Sequence, residues 1–388
     1  MPQAVIVDAV RTPIGRAFKG SLTQLRPDET GAYVIDRLLE RNPGVDPSSV
    51  EEVIAGCGLP QGLQAFNIGR TMTLLSEKLP QEVNGQTISR YCASGLDAIR
   101  HAANAVAAGQ GDTYVAAGVE FVSRYNERQE VAGAPDQNER LQGREPGQPN
   151  VYIQMGDTAV NVAKRYEVSR PEMDKYAQRS QELAVRSQED GFFDREVVPV
   201  VLPDGREVGK DDGPRANSSL EKLAELPEVF AGGGGVTAGN SCPLNDGAAA
   251  ALVMSEERAR ELGLQPRARI VTAATSANEP EYMGVAPIGA IRKALERAGM
   301  TIADVDIVEL NEAFAAQVIP IMAECGIPLE RMNPHGGAIA LGHPFGMTGV
   351  RMMTTLLNGL ESDDKEIGLE TMCVAGGQAE AMIVERLN

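Results

Sequence analysis

The second half of this chain repeats the first half in outline, and this duplication constrains the fold more than any other feature. We match RARIVTAAT to QAVIVDAV and TIADVDIVELNEAF to DPSSVEEVIAGCGLP. We also match FGMTGVRMMTTLLNGL to CASGLDAIRHAANAVAAG, and TMCVAGGQ to YVAAGVE. A duplicated unit sets equivalent loops side by side, so we expect a site at the junction to draw residues from both halves.

Apolar strands and amphipathic helices alternate within each half. The sequence predicts a buried strand over residues 4–9, followed by a helix that Asp28 caps. Asp46 opens a second, short helix, and EEVIAGCGL continues as a strand. This alternation is typical of an α/β fold in which helices cover a mostly parallel sheet.

A long polar excursion interrupts the alternation after about residue 119. Its composition predicts a surface segment, and loops of this length are usually functional. Within it we expect a helix in QMGDTAVNVAKRY and a second helix that begins with a capping box of Ser169 and Glu172 and ends near Gly191. A turn in LPDGRE and the flexible connector AGGGGVTAGN follow, and the alternation resumes at GAAAALVMS.

The charge of the chain limits its partners. Asp and Glu number 54 against 36 Lys and Arg, which gives a net charge of -18. That balance disfavours binding to nucleic acid or to anionic membranes. An anionic substrate would need a local basic patch. The apolar run near the N-terminus is too short for a signal peptide or a membrane span, so the expected location is the cytoplasm.

Cysteine and histidine are few enough to be considered one by one. The five cysteines form no CxxC pair and no metal-binding spacing, so we expect no metal and either buried or catalytic thiols. Mechanisms that need an imidazole have only the chain's three histidines to use, which are His101, His335 and His343.

Cys92 lies at the start of a predicted helix in YCASGLDAIRHAANAVAAG, with Leu96, Ile99, Ala103 and Val106 on its buried face. Free N–H groups and the partial positive charge at a helix N-terminus favour a thiolate. The motif therefore indicates a nucleophile. Read by itself, it fits a small buried packing residue better.

His343 lies between Gly342 and Pro344 in the glycine-rich motif NPHGGAIALGHPFGMTG. Such glycine density lets backbone approach a ligand closely, and a histidine held there could deprotonate a thiol. A packed loop with a hydrogen-bonded histidine fits the motif equally well. His335 is a weaker candidate, and His101 lies on the polar side of its helix.

Two further motifs end strands of the second half. Cys373 opens CVAGGQAEA, and Asn311 with Glu312 enters a helix in ELNEAFAAQ. A single cysteine is usually a core residue, and the acidic turn is a plausible helix cap. Their position favours function, because a duplicated sheet would gather these loops at one place.

Taken together, these segments resemble the thiolase family over essentially the whole chain. The resemblance includes VRTPIGR, CASGL, GNSCPLNDGAAA, NEAFA, GGAIALGHPFGMTG and CVAGGQ. CASGL and DDGPRANSSLEKLAEL are more similar to degradative 3-ketoacyl-CoA thiolases, enzymes of fatty acid β-oxidation, than to the biosynthetic type.

The resemblance implies an α/β thiolase fold, a duplicated five-layered α/β/α/β/α core with an inserted loop domain. The N-terminal half would comprise residues 1–118 and 246–268. The inserted, CoA-binding loop domain would comprise residues 119–245, and the C-terminal half residues 269–388.

It also implies roles for four catalytic residues. Cys92 would carry the acyl group as a thioester, and His343 would accept its proton and polarise the thioester carbonyl. Cys373 would exchange the proton at the α-carbon of acetyl-CoA. Asn311 would hold a water that joins His343 in one oxyanion hole, and the N–H groups of Cys92 and Ala375 would form the other.

Coenzyme A is expected as a substrate, with no permanently bound cofactor. By resemblance Arg215 lies beside the nucleotide, Met155 lines the acyl and pantetheine end, and Cys242 lies near CoA. Ala313 and Phe314 would flank the pantetheine channel.

Three positions depart from the family pattern. Ser89 replaces the usual asparagine three residues before the nucleophile, Cys242 replaces a serine, and Ala375 replaces a glycine of CxGGG. If Ala375 needed a positive φ, the second oxyanion hole would be strained.

The expected reaction is acyl-CoA plus acetyl-CoA in equilibrium with 3-oxoacyl-CoA plus CoA. An acetyl-CoA acetyltransferase and a non-catalytic acyl-CoA-binding protein are the alternatives. Decarboxylating condensing enzymes share the fold, but they would lack the second cysteine at CVAGG. A homodimer or homotetramer is expected, and a hydratase-dehydrogenase is a further possible partner.

Overall fold

The structure is a computed structural model and describes residues 2–125, 137–230 and 232–388. Its strands are β1 (Ala4–Arg11), β2 (Gly15–Arg16), β3 (Glu52–Gly56), β4 (Asn84–Ile88), β5 (Thr113–Phe121), β6 (Val200–Val201), β7 (Glu207–Val208), β8 (Asn245–Ser255), β9 (Ala268–Ala277), β10 (Ile307–Leu310), β11 (Ile367–Val374) and β12 (Gln378–Arg386). Its helices are α1 (Pro27–Arg41), α2 (Ile68–Leu75), α3 (Ser94–Ala107), α4 (Met155–Arg165), α5 (Arg170–Glu189), α6 (Leu220–Ala224), α7 (Glu256–Glu261), α8 (Pro287–Ala298), α9 (Ala315–Cys325), α10 (Ala338–Leu341) and α11 (Phe345–Ser362).

The order of the strands confirms the duplication. The long strands run β10-β11-β12-β9-β1-β8-β5-β3-β4 across one continuous sheet. Read outward from the β1–β9 pair, β8, β5 and β3 on one side match β12, β11 and β10 on the other. The segments matched in the sequence occupy equivalent strands, so the two halves share one folding pattern.

The sheet is mixed, and the prediction of a mostly parallel sheet was wrong. Parallel pairing joins β3 to β4, β3 to β5, and β10 to β11. The central pairs, including β1 with β8 and β9 with β12, are antiparallel. The reason is that the excursion returns the chain to the sheet through β8, a strand that lies between β1 and β5 and runs opposite to both.

Helices lie on both sides of each half of the sheet and produce five layers. Helix α1 packs on β5 and β8, and helix α8 packs on β9 and β12. Helices α3 and α11 pack against each other and against strands of both halves, so they form the central layer. Both helices begin at a predicted catalytic motif, which brings these motifs together.

Several local predictions can be checked. The capping box of Ser169 and Glu172 at the start of α5 is confirmed, and the buried face predicted for α3 is buried. The Asp28 cap was wrong: Arg26 is the N-cap of α1, and Asp28 lies in its first turn. Among the described residues, none of the helices has both the length and the apolar character needed to cross a membrane.

Candidate active site

Cys92 lies in a 3-10 turn, Tyr91–Ala93, directly before α3, as predicted. Tyr91 adopts a φ of 43°, a left-handed conformation that is strained for an aromatic residue. The cysteine is 9% exposed. The turn therefore presents a nearly buried thiol at the start of the helix.

The surroundings of Cys92 as a whole favour the thiol, although the helix N-terminus was expected to favour the thiolate. Burial raises the pKa of this thiol well above its usual value, and Cys373, Cys242 and Glu120 raise it further. The backbone N–H of Ala375 acts in the opposite direction by hydrogen bonding to the sulfur. Loss of hydration is the largest contribution, so the resting group is a thiol.

His343 is held in place through its backbone. Its N–H donates to Oδ1 of Asn245 over 2.9 Å, and the amide of Asn245 donates to the Gly15 carbonyl over 3.0 Å. Gly342 has a φ of 110°, and a Cβ there would lie 2.5 Å from the Asn245 side chain. This glycine is required by both conformation and space.

The hydrogen bonds of the His343 ring define its tautomer. The hydroxyl of Thr348 donates its one proton to the Pro344 carbonyl over 2.8 Å, so it accepts from Nδ1–H of His343, 2.7 Å away. Nε2 is then an acceptor, and the Asn311 amide donates to it over 3.2 Å. Burial lowers the pKa of His343 to about 3, which leaves a neutral imidazole with its basic lone pair on Nε2.

Cys373 is fully buried at the end of β11. The Gln317 amide donates to its sulfur over 3.2 Å. Burial raises the pKa of the thiol to about 11, although the bond from Gln317 opposes the rise. Ala375 is not among the residues with positive φ, which is confined to Gly376 and Gly377 in this turn. The alanine is therefore accommodated without strain.

The structure places the four predicted catalytic residues in two pairs. Asn311 touches the His343 ring, and Cys92 interacts electrostatically with Cys373. Cys92 comes from the first half of the chain and the other three residues come from the second half. The Cys92–Cys373 pair therefore joins the two halves, as expected of a site at their junction.

Four of the residues expected near CoA belong to one apolar cluster that also contains Cys373. Met155 begins α4, and the N–H of Cys242 donates to the Ala313 carbonyl over 3.0 Å. Phe314 packs edge-on against Phe230, with 6.4 Å between ring centroids. These side chains form an apolar wall beside the two thiols.

Arg215 lines a separate small cavity with Arg16, Gln181, Ser218 and Ser241. Burial lowers the pKa of Arg215, and the charge of Arg16 lowers it further. Within the described parts of the chain, neither guanidinium has a carboxylate at salt-bridge distance. Two neighbouring unpaired cations in an acidic protein make this cavity suited to an anion.

Sequence reasoning missed the residues that hold the catalytic groups. They are Asn245, Thr348 and Gln317; Arg16, which lines the cavity of Arg215, was also missed. Asn245 lies in the quoted motif NDGAAA, and Thr348 and Gln317 follow the GHP and NEAF motifs on α11 and α9. Nothing in their spacing indicated which atoms they would contact.

The other histidines lie elsewhere. His335 stacks on Phe192 with ring centroids 3.7 Å apart, and His101 is exposed on α3. Across the described residues, no group of three or more histidines, cysteines or carboxylates is arranged to hold a metal ion.

This arrangement suits acyl transfer, because a thiol can carry an acyl group and a neutral imidazole can take up the proton of that thiol. The protein is therefore an enzyme of the acyltransferase class.

The chain belongs to the thiolase family. The family model for the thiolase N-terminal domain matches residues 4–257, and that for the thiolase C-terminal domain matches residues 264–386.

Curated relatives span the whole chain. A 3-oxoadipyl-CoA/3-oxo-5,6-dehydrosuberyl-CoA thiolase of Escherichia coli (strain K12) is 42% identical over 403 residues, with 100% of both chains covered. A 3-ketoacyl-CoA thiolase of a Marinomonas species is 41% identical over 391 residues, covering 99% of this chain and 98% of the relative.

Solved structures agree with this assignment. The acetyl-CoA acetyltransferase of Bacillus anthracis has a TM-score of 0.91 at 39% identity, covering 100% of this chain and 99% of that one. The dimeric peroxisomal thiolase of Saccharomyces cerevisiae has a TM-score of 0.91 at 35% identity, covering 99% and 97%. The thiolase fold expected from the sequence is confirmed.

Proposed function

We propose that the protein cleaves 3-oxoacyl-CoA with CoA to give acyl-CoA and acetyl-CoA, and catalyses the reverse condensation, through an acyl thioester on Cys92. The observation that carries this proposal is the tautomer of His343. Thr348 holds the Nδ1–H, so Nε2 is left as the acceptor. An imidazole in this state can take a proton from a buried thiol without first losing one.

In the first half-reaction, Cys92 Sγ attacks the 3-oxo carbon of the substrate, and its proton passes to Nε2 of His343. The C2–C3 bond breaks, which leaves the acyl group on sulfur and releases the enolate of acetyl-CoA. Cys373 gives its S–H proton to the enolate carbon. The raised pKa of this thiol supports the role, because the proton stays on sulfur until a carbanion develops.

In the second half-reaction, the thiol of free CoA attacks the Cys92 thioester and gives its proton to the Cys373 thiolate. Acyl-CoA leaves, and the Cys92 thiolate recovers the proton that His343 stored. Both thiols and the imidazole return to their resting states, so the cycle balances.

Two sets of donors would stabilise the oxyanions. Asn311 with a bound water and protonated Nε2 of His343 would form one set, and the N–H groups of Cys92 and Ala375 the other. Two observations support the second set: the Ala375 N–H is directed at the Cys92 sulfur, and the backbone at Ala375 has no positive φ.

We propose that the segment 119–245 is a CoA-binding unit inserted between 1–118 and 246–268, with 269–388 as the second catalytic half. Arg16 and Arg215 would bind the phosphate groups of CoA, since guanidinium pairs well with phosphate and neither group has a carboxylate partner here.

Pantetheine and the acyl chain would lie along the apolar wall of Met155, Cys242, Ala313 and Phe314. This placement is supported by the continuity of the wall with Cys373 and by Ser241, which lines the arginine cavity one residue before Cys242.

The names of the relatives suggest a substrate. Several are described as β-ketoadipyl-CoA thiolases, including one from Acinetobacter baylyi that is 41% identical over 403 residues. We therefore propose that a 3-oxoacyl-CoA with a terminal carboxylate, such as 3-oxoadipyl-CoA, is a substrate. Fatty acyl substrates of β-oxidation and acetoacetyl-CoA are the alternatives.

A substrate series tests these proposals. Thiolysis should be measured with acetoacetyl-CoA, unbranched 3-oxoacyl-CoA esters of increasing length, and 3-oxoadipyl-CoA. A higher kcat/KM for 3-oxoadipyl-CoA than for 3-oxohexanoyl-CoA, its counterpart without the carboxylate, supports the dicarboxylate. Failure with every substrate would favour a non-catalytic acyl-CoA-binding protein.

We also propose that the protein is a homodimer. The dimeric yeast relative supports this, and so does β4, an edge strand that pairs with β3 and with no other described strand. An exposed edge is a natural place for two copies to join. Light scattering should give the mass of two chains. The mass of one chain would contradict the dimer and leave the proposed reaction unaffected.

A further inference from the structure

Glu120 lies near the end of β5, the strand of the first half that corresponds to β11. The matching turns Pro47–Ser49 and Ile302–Asp304 align Ala55 with Leu310. Ala55 pairs with Ala117 on β5, and Leu310 pairs with Thr371 on β11, so Glu120 corresponds to Val374. The first half therefore has a carboxylate where the second half has an apolar residue.

A glutamine side chain contacts this carboxylate. The Gln64 amide donates to Oε1 of Glu120 over 2.6 Å.

Every nitrogen that contacts the Glu120 carboxylate is a donor. Besides Gln64, Oε2 accepts from the N–H of Gly58 over 2.7 Å and from the N–H of Gly346 over 2.9 Å. The N–H of Leu59 lies 3.3 Å from Oε1. A side chain surrounded in this way must be an acceptor only, which is what a carboxylate provides and an amide does not.

The carboxylate is fully buried, and burial raises its pKa to about 6, against the effect of the four donors. The titratable groups that interact with it are the Cys57 thiol, 4.0 Å away, and Cys92. At neutral pH the Glu120 carboxylate is ionised. On acidification it would gain a proton, and that proton would point at an N–H donor instead of an acceptor.

Glu120 lies where the two catalytic turns meet. A Cβ placed at Gly58 would lie 3.1 Å from the carbonyl oxygen of Tyr91, beside the nucleophile, and 2.8 Å from Cβ of Phe345, two residues after His343. One carboxylate thus holds the Gly58 loop and the first turn of α11, which directly follows His343 and Pro344, against the turn of Cys92.

We propose that Glu120 is a positioning residue that sets the spacing between Cys92 and His343 by binding the Gly58 and Gly346 amides together. The inference rests on the proposed function, since it assigns a task within that site. Glu120 touches no reacting atom and acts through the two turns.

The test is the pH profile of acetoacetyl-CoA thiolysis by the full-length protein and its Glu120→Gln variant. Wild-type kcat should fall as pH drops below about 6. Glu120→Gln should lower kcat at pH 8 by about ten- to a hundredfold, because small misplacement of reacting groups is costly. Its KM for CoA should stay within about twofold, and its kcat should no longer fall on acidification.

Two further variants separate positioning from stability. Val115→Ala truncates a core residue on the same strand and should lower the melting temperature while leaving kcat and its acid limb unchanged. Glu120→Asp keeps an acceptor but is too short to reach both amides, so its kcat should be intermediate. If Glu120→Gln does not fold, the kcat of Glu120→Asp tests the proposal in its place.

A Glu120→Gln enzyme with wild-type kcat and acid limb would overturn the proposal, as would an equal loss of kcat in Val115→Ala. If the wild type has no thiolase activity, the proposed function fails separately. In that case, the role of Glu120 is tested by the rate at which iodoacetamide modifies Cys92, which peptide mass spectrometry follows. Glu120→Gln should shift its pH dependence to lower pH, because a negative charge near the thiol is removed, and an unchanged profile would reject the role.

Discussion

Nδ1 of His343 lies 2.7 Å from the hydroxyl oxygen of Thr348, and that hydroxyl has already given its proton to the backbone. The ring must therefore donate at Nδ1 and accept at Nε2. This single contact decides which nitrogen can act as the base in the site.

Replacing Thr348 with valine keeps the shape and removes the acceptor for Nδ1–H. The ring is then free to adopt the other tautomer, so kcat for thiolysis should fall about ten- to a hundredfold, with KM little changed. Steady-state kinetics measure both parameters. Thr354→Val is the matched control, because Thr354 also lies on α11 and donates to the carbonyl four residues earlier. Equal losses in the two variants would contradict the assigned role.

Much of the site was predictable because its motifs are local. Cys92 at a helix start, His343 in a glycine-rich turn and Cys373 at a strand end are each visible in a short segment, and the internal repeat indicated that these segments would meet. The strand order shows why they do: equivalent strands flank the β1–β9 pair.

The energetics were not predictable from short segments. The pKa of Cys92 depends on burial by distant parts of the chain and on Cys373 and Cys242, none of which the local motif specifies. Asn245 holds His343 from 98 residues away, and Glu120 binds Gly346 from 226 residues away. Strand direction also depended on where β8 inserts, which the alternation of helices and strands does not specify.

Cys92 and Cys373 should act in different chemical steps, and a Cys373 variant should distinguish these steps. Cys373→Ala should still accept an acetyl group from acetyl-CoA on Cys92, but exchange of the acetyl-CoA methyl protons with D2O should fall at least about a hundredfold. Proton NMR follows the exchange. Cys325→Ala, a half-buried thiol at the end of α9, should exchange at the wild-type rate. Full exchange in Cys373→Ala would assign the proton transfer to another group.

The arginine cavity should govern affinity for CoA and leave the chemistry intact. Arg215→Ala or Arg16→Ala should raise KM for CoA by about tenfold or more, since a charge-assisted hydrogen bond contributes about 1.5–3 kcal/mol. The kcat value should change little. Arg206→Ala removes an arginine of the exposed β6–β7 hairpin and should leave KM unchanged. An unaltered KM for CoA in both cavity variants would show that the phosphate groups of CoA bind elsewhere.

A buried carboxylate should make stability depend on pH. Burial raises the pKa of Glu309 to about 8, whereas an unfolded chain releases this proton near pH 4.3. Between these values the folded state keeps a proton that the unfolded state has lost, so the free energy of unfolding falls as pH rises, by about 1 kcal/mol per pH unit.

Urea denaturation from pH 5 to pH 8 measures this dependence. Glu309→Gln should make the decline shallower, although other buried carboxylates such as Glu380 still contribute to it, while Glu257→Gln, at an exposed position on α7, should leave it unchanged. A Glu309→Gln protein whose stability declines as steeply as that of the wild type would show that the carboxyl is ionised in the fold.

The central claim is that Cys92 carries the acyl group. The protein should be mixed with acetyl-CoA, quenched in acid, digested and analysed by mass spectrometry, with Cys92→Ala treated in parallel. We predict an acetyl group on the peptide that contains Cys92, its removal when free CoA is added before the quench, and no acetylated cysteine in the variant. An unmodified Cys92 peptide, or an acetyl group on another cysteine, would contradict the account.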